Sequence, residues 1–332
     1  MSLPTTVSIP VAPTASNRQN VESEGRAIGE FSDLMGQSTA VSLLERAIAK
    51  NRIAPAYLFT GVDGIGKTLA ARIFIAQLFN TNNLTNHPDL LWVEPTYLHQ
   101  GKLVNQSELA RSEVKRKSPP QIRIEQIRVV TQFLSCCALT ATCKVVVIQD
   151  ADRMAASAAN ALLKTLEEPT SGSIILISSQ PQKLLPTIAS RCQAIPFHRL
   201  NSSSMVRVLE RLGNAEIIDN PVIVALAAGS PGQAIAHYNQ RRSMPKALLE
   251  QLELPPTNAL ITMRLAKEID TMLDFDRQLW LLDYLQHLWW RSLSNTNWVE
   301  KLEAAKVALL KMASSRLVWE VLFLEKSVDC WR

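Results

Sequence analysis

The sequence predicts an α/β domain built on a mostly parallel sheet, followed by a helical remainder. Two observations support this class: short apolar strands alternate with helical periodicity up to Pro196, and only helical patterns follow it. Such alternation favours parallel strands with helices on both faces of the sheet. The helical patterns after Pro196, several of them separated by prolines, cover 202–213, 220–228, 231–241, 245–253, 258–271, 275–293 and 297–324.

The α/β part is preceded by a polar segment. Residues 1–28 are rich in Ser, Thr, Pro and Asn and contain no aromatic residue, so we predict a disordered tail there. The elements predicted next are a helix at 42–49, a strand at 56–59, a helix at 69–79, a strand at 89–93, a helix at 122–134, a strand at 144–148, a helix at 155–168 that Pro169 ends, and a strand at 173–178.

These patterns divide the chain into four parts. We predict the tail at 1–28, the α/β domain at 29–198, a small helical domain at 199–242 and a second helical domain at 243–332. Six of the seven tryptophans follow residue 279. They fit either ordinary core packing or a partly exposed subunit interface.

Composition narrows the function classes. No apolar run is long enough to span a membrane, and the first residues lack the basic-then-apolar order of a signal peptide. The five cysteines lack paired spacing, which favours a reducing cytoplasm over disulfides or a zinc site. The net charge of +5 is compatible with nucleic-acid association. Six basic and two acidic residues between Arg111 and Arg128 form either a solvated face or a docking patch.

A complete phosphate-binding loop follows the first strand. It fits G-x-x-x-x-G-K-[ST] without a mismatch and consists of Gly61, Val62, Asp63, Gly64, Ile65, Gly66, Lys67 and Thr68. Glycines allow backbone N–H groups to surround phosphate oxygens, and the following helix adds a favourable dipole. Lys67 would reach the β- and γ-phosphates and Thr68 would hold Mg²⁺. We predict binding of ATP or ADP; the alternative is a glycine-rich turn without a ligand.

The acidic half of an ATPase site is incomplete. The strand at 144–148 runs into Gln149 and Asp150, where an ATPase needs a metal-orienting carboxylate followed by a water-activating one. Gln149 is neutral, and Asp150 is shorter than glutamate. A shift of register by one residue would give Asp150 the metal role and leave Ala151 in place of a base. We therefore predict nucleotide binding with weak or absent hydrolysis; alternatively, Asp150 only caps a helix.

Four blocks resemble the clamp-loader family of AAA+ ATPases. They are the helix Ser157–Pro169, the tripeptide Ser190-Arg191-Cys192, the box Phe31–Gln37 and the segment Asn51–Phe59 that leads into the loop. The resemblance extends over about residues 29–240. It implies an AAA+ α/β domain, a helical lid at 199–242 and a helical collar at 243–332 through which five subunits form a ring.

The resemblance also implies roles for single residues. Leu34 and Met35 would lie beside the adenine, and Ser178 or Ser179 would be the first sensor of the γ-phosphate. Arg191 would act as an arginine finger on ATP that a neighbouring subunit binds. Alternatively, Arg191 only pairs with a local carboxylate, and the serines only end their strand.

Departures within the family favour one subunit type. The motor subunits keep Asp-Glu where this chain has Gln149-Asp150, and they carry a second-sensor arginine that Gly229–Ala234 lacks. The Pro-Gly pair in that segment and His87–Leu90 are similar to delta-prime subunits of the bacterial DNA polymerase III clamp loader. Many family members hold zinc through four cysteines, but residues 81–121 contain none, so we predict no zinc there.

Three functional hypotheses follow. The first is a cytoplasmic, largely non-catalytic subunit that assembles with the gamma/tau ATPase and delta subunits and acts, through the complex, on the sliding clamp and primed DNA. The second is an active gamma/tau-like motor, against which Gln149 and the missing sensor arginine argue. The third is a stand-alone P-loop nucleotide kinase, which would leave the family helix at 157–169 unexplained.

Overall fold

The computed structural model describes residues 29–99, 102–104, 120–168, 172–256, 258–293 and 296–329. The predicted tail at 1–28, residues 111–119 of the basic segment and Pro169 lie outside the described residues. The chain forms two compact units, Met1–Arg199 and Leu200–Arg332. Within the described ranges, no helix is both long and apolar enough to cross a membrane.

The first unit is an α/β domain. Its described strands are β1 (Ala56–Thr60), β2 (Leu90–Val93), β3 (Tyr97–His99), β4 (Lys102–Val104), β5 (Lys144–Ile148), β6 (Gly172–Ser178) and β7 (Gln193–Pro196). Five of them form one sheet in the order β2-β5-β6-β1-β7, and every neighbouring pair is parallel. Strands β3 and β4 form a separate antiparallel hairpin. The predicted parallel α/β class is confirmed; β7 and the hairpin were not predicted.

The helices of the first unit are α1 (Ser38–Ala49), α2 (Lys67–Phe79), α3 (Ile124–Leu134), α4 (Ala156–Glu167) and α5 (Pro186–Ala189). Alternate side chains of each strand enter the two faces of the sheet. On β5, Val145 and Val147 pack in the cluster that includes α1 and α2. Val146 and Ile148 pack in the opposite cluster with α3 and α4. Both faces are therefore covered, which explains the continuous apolar character of this strand.

The second unit is helical. Its described helices are α6 (Ser202–Arg211), α7 (Pro221–Ala227), α8 (Pro231–Ser243), α9 (Lys246–Gln251), α10 (Ala259–Met272), α11 (Phe275–Leu293), α12 (Thr296–Leu310) and α13 (Ser315–Asp329). One hydrophobic cluster extends from Leu200 to Phe323. Trp289, Trp298 and Trp319 are buried in it. The division of this unit into a lid and a collar stays a prediction.

One sequence-based boundary was wrong. We expected a single helix over 297–324, but the chain turns between α12 and α13. Met312 adopts a left-handed conformation with φ of 63°, and the Ala313 N–H donates to the carbonyl of Ala308 at 3.1 Å. This pattern ends a helix as a Schellman motif does. The break contains no glycine or proline, so the sequence carried no obvious stop signal.

Candidate functional site

The loop between β1 and α2 has a backbone that requires glycine. Gly61, Gly64 and Gly66 have φ angles of 146°, 73° and 104°. A Cβ on Gly61 would lie 2.5 Å from the carbonyl oxygen of Phe197, and one on Gly66 would lie 3.3 Å from Leu34. Left-handed glycines and close neighbours therefore shape a cradle of backbone N–H groups at the start of α2. This backbone fits a phosphate group.

Lys67 is folded over this loop. Its Nζ donates to the carbonyl oxygens of Gly61 at 2.6 Å and Val62 at 2.7 Å, and it lies 3.5 Å from a carboxylate oxygen of Asp63. Only 5% of the residue is exposed. Burial lowers the pKa of Lys67, and the negative charge of Asp63 opposes that shift. The cation is therefore held against the loop where phosphate oxygens would bind.

Two further loop positions, Ile65 and Thr68, have described surroundings. Ile65 is buried and anchors the loop in the core. Thr68 is half-buried at the second position of α2, next to Lys67. If a nucleotide binds, a metal ion held at the Thr68 hydroxyl would neutralise charge on the phosphates.

The segment Leu34–Gln37 and the segment after β7 flank the loop, and the side chain of Gln37 joins them. Leu34 is buried beside Gly66, and the half-buried Met35 follows it. The Gln37 amide then donates to the His198 carbonyl at 2.8 Å and accepts from the His198 N–H at 2.9 Å. Gln37 is 2% exposed. Sequence reasoning missed this role, because nothing local marks a buried glutamine whose partner is far away along the chain.

The position after β5 lacks a metal-orienting carboxylate. Gln149 follows the strand directly, and its Oε1 accepts a hydrogen bond from the indole N–H of Trp92 at 3.2 Å. The guanidinium of Arg72 on α2 lies 5.0 Å from the centre of the Trp92 ring. The amide oxygen is therefore engaged with β2.

Asp150 follows Gln149 on this turn, and its charge acts on Lys67. It has a φ of 48° and occupies the cap position before a short 3-10 helix, without a capping hydrogen bond from its side chain. Burial raises the pKa of Asp150, with Arg153 opposing the shift. Lys67 also acts electrostatically on Asp150, so the structure places the two predicted residues near each other. Asp150 is one methylene shorter than glutamate, so it reaches less far toward a water molecule that a general base would activate.

Asp152 was not predicted, and it organises the end of β6. Its Oδ1 accepts from the Ser178 hydroxyl at 2.7 Å and from the Ser179 N–H at 3.1 Å. Ser178 is fully buried, and its hydroxyl also accepts from the Gln180 N–H at 3.1 Å. The Ser178 hydroxyl is thus engaged within the protein, which leaves Ser179 as the better candidate for sensing phosphate.

Arg191 belongs to a different cluster, formed by α4 and α5. Its Nη2 donates to Oε1 of Glu167 at 2.7 Å, and its Nη1 donates to the Thr187 carbonyl at 3.0 Å. The Arg191 side chain is 38% exposed. Cys192 beside it is partly buried, and burial raises the pKa of its thiol to about 11. The thiol is therefore a weak nucleophile at neutral pH, and Arg191 is the partly exposed cation of the tripeptide.

Asp89 is a third residue whose role sequence reasoning missed. Its carboxylate is buried and accepts from the N–H groups of Leu139, Thr140 and Ala141 at 2.7–2.8 Å. The Thr140 hydroxyl also donates to it at 2.9 Å. Burial would raise the pKa of Asp89, but these donors outweigh it and hold the pKa well below its usual range. Asp89 therefore fixes the loop that enters β5.

Comparison with known families gives two matches that together span most of the chain. Residues 36–201, half of the chain, match the family described as DNA polymerase III, delta subunit. Residues 203–326 match the family described as cyanobacterial DNA polymerase III delta prime, C-terminal domain. The two matches correspond closely to the two units of the structure.

Individual relatives agree with this assignment. The chain is 34% identical to DNA polymerase III subunit delta' of Bacillus subtilis over 185 residues, which cover 51% of this chain and 50% of that protein. It is 34% identical to the delta' subunit of Pseudomonas aeruginosa, over 61% of this chain and 64% of that protein. The match thus spans about half to two thirds of these relatives.

A solved structure shares the fold. A gamma subunit-related DNA polymerase III protein from Thermotoga maritima superposes with a TM-score of 0.54 at 16% identity, over 87% of this chain and 99% of that one. The parallel α/β unit with its phosphate-binding loop, followed by a helical unit, has the AAA+ fold of clamp-loader proteins. Within that class, the chain belongs to the DNA polymerase III delta-prime subunit family.

Removal of the loop lysine tests the nucleotide site. We expect Lys67→Ala to weaken binding of ATP and ADP by the isolated chain by about 10- to 100-fold, because one charge-assisted contact to phosphate is lost. Titration calorimetry measures the effect, and Lys50→Ala, an exposed lysine beyond α1, is the control. Equal affinity of wild type and Lys67→Ala would show that the loop does not bind phosphate.

Proposed function

We propose that this chain is a structural subunit of a clamp loader, and that it supplies Arg191 to ATP bound by a neighbouring motor subunit. Its own loop holds ATP or ADP with Mg²⁺ but hydrolyses nucleotide poorly. Its partners are the gamma/tau ATPase and delta subunits, and it acts on the sliding clamp and primed DNA through the complex. Family membership and the surface position of Arg191 support this proposal.

The observation that carries the proposal is the combination of a complete loop with Gln149 after β5. A neutral amide cannot balance the charge of a metal ion, and its oxygen already accepts from Trp92. Asp150 lacks a second carboxylate beside it that could act as a base, since Ala151 follows and Asp152 accepts from Ser178 and Ser179. These contacts support binding without efficient turnover.

Arg191 supports the other half of the proposal. Its side chain is partly exposed, and its contacts with Glu167 and Thr187 use two of its five N–H donors among the described residues. The remaining donors can bind phosphate oxygens of a second molecule. An arginine at that point stabilises the charge that spreads over the transferring phosphoryl group.

Reconstitution of the loader tests the proposal. We expect the isolated chain to hydrolyse almost no ATP, and we expect a loader assembled without it to lose most DNA-stimulated hydrolysis and most clamp loading onto primed DNA. Addition of the chain should restore both. Substantial hydrolysis by the chain alone would instead identify a stand-alone enzyme, and full loader activity in its absence would exclude the proposed role.

A further inference from the structure

The guanidinium of Arg191 is held from two sides within its own subunit. The carboxylate of Glu167, the last residue of α4, lies 2.7 Å from Nη2. The carbonyl of Thr187 in α5 lies 3.0 Å from Nη1. The two acceptors belong to different helices that pack against each other, so the plane of the guanidinium is fixed relative to both.

The Glu167–Arg191 contact has little effect on folding stability and leaves several guanidinium N–H donors able to bind another group. Glu167 and Arg191 are 55% and 38% exposed, so solvent screens the pair and its contribution to folding is small. The contact involves one Nη only, unlike a two-pronged arginine–carboxylate pair. Among the described residues, Nε and the second hydrogens of both Nη atoms have no acceptor of their own and can bind an oxyanion.

We propose that Glu167 is a positioning residue for Arg191. It holds the guanidinium in the orientation that enters a neighbour's ATP site, so that less side-chain freedom is lost when the subunits assemble or when the phosphoryl group transfers. This inference rests on the proposed function of Arg191. The neighbouring Glu168 does not share the role, because its carboxylate lies 3.9 Å from Lys164 instead.

The first test compares single variants in the reconstituted loader. We expect Glu167→Ala to lower kcat for DNA-stimulated ATP hydrolysis by about threefold to tenfold, the cost of immobilising one flexible side chain. KM for ATP should stay unchanged, because the neighbour's own loop binds the nucleotide. Glu167→Gln keeps an oxygen acceptor and should restore most of kcat. Glu168→Ala, on the same turn and equally exposed, is the control and should match wild type.

A double-variant cycle with Arg191→Ala separates positioning from a general structural effect. If Glu167 acts through Arg191, Glu167→Ala has no further effect once Arg191 is alanine. Equal losses in both backgrounds, an increase of kcat in Glu167→Ala, or a change confined to KM would each overturn the inference. Subunit assembly, measured by gel filtration, must be equal for all variants, and an assembly defect in Glu167→Ala would also count against it.

The cycle also separates this inference from the proposed function. If Arg191→Ala leaves hydrolysis unchanged, the finger role itself fails and positioning fails with it. If Arg191→Ala abolishes most hydrolysis while Glu167→Ala behaves like Glu168→Ala, only the positioning role of Glu167 is wrong.

Discussion

The Arg191→Ala variant is expected to lower DNA-stimulated ATP hydrolysis of the reconstituted loader by about tenfold or more. The physical reason is the loss of a positive charge at the transferring phosphoryl group of a neighbouring subunit; an arginine at that point is worth about 10³–10⁵ in rate at a single site. We expect the motor sites to hydrolyse ATP in one coupled cycle, so that the slow site lowers turnover of the whole complex. Steady-state hydrolysis on primed DNA with the sliding clamp measures it.

Two companion variants sharpen this experiment. Lys67→Ala should leave turnover of the loader nearly normal, because the chain's own nucleotide is not the one that is hydrolysed. Arg191→Lys keeps the charge but loses the planar fork, so it should recover only part of the rate. The opposite pattern, with collapse in Lys67→Ala and normal turnover in Arg191→Ala, would mean that this chain is itself a motor and that Gln149 does not prevent hydrolysis.

The Asp89→Ala variant is expected to destabilise the α/β unit by about 3 kcal/mol. The substitution removes a carboxylate that accepts from three backbone N–H groups and one hydroxyl, and these donors lose a charged partner. Native-state hydrogen exchange of the β5 amides measures the free energy of opening in the full chain. Glu45→Ala, at an exposed position on α1, should change it by less than about 0.5 kcal/mol.

Asp89 also predicts how stability depends on pH. Its folded-state pKa lies below the unfolded value of about 3.9. Its contribution is therefore complete above pH 4 or so and is lost as the pH falls through the folded pKa. The wild type should lose stability more steeply below pH 4 than Asp89→Asn, which carries no titrating group at this position. Parallel acid-unfolding curves for the two proteins would contradict this account.

Much of the fold followed from local patterns. Strand β5 and the residues of the phosphate-binding loop were predicted because apolar runs and glycine spacing are visible in the sequence itself. Strand β7 was missed because only Ile195 among its apolar residues is fully buried, so the edge strand carries little apolar signal. The turn at Met312 was missed because a left-handed methionine has no sequence signature.

At the candidate site, contacts between residues that are distant in the sequence were not predicted. The sequence pointed to Arg191 but not to Glu167, which is 24 residues away along the chain and adjacent in space. Gln37 and Asp89 were likewise invisible, since their partners are 161 and about 50 residues distant. Hydrogen bonds between a side chain and a backbone group far along the chain depend on tertiary packing, so the sequence does not reveal them. A phosphate-binding loop is formed by consecutive residues, so its pattern is visible in the sequence.

The strand order has a consequence for synthesis of the chain on the ribosome. β1 lies between β6 and β7 in the sheet, yet it is translated first and its partners begin only at Gly172 and Gln193. At roughly 5–20 residues per second, the apolar strand Ala56–Thr60 waits on the order of ten seconds for its neighbours. During that interval the unpaired apolar strand is exposed to aggregation, and a message truncated before β7 yields a polypeptide that cannot complete its sheet.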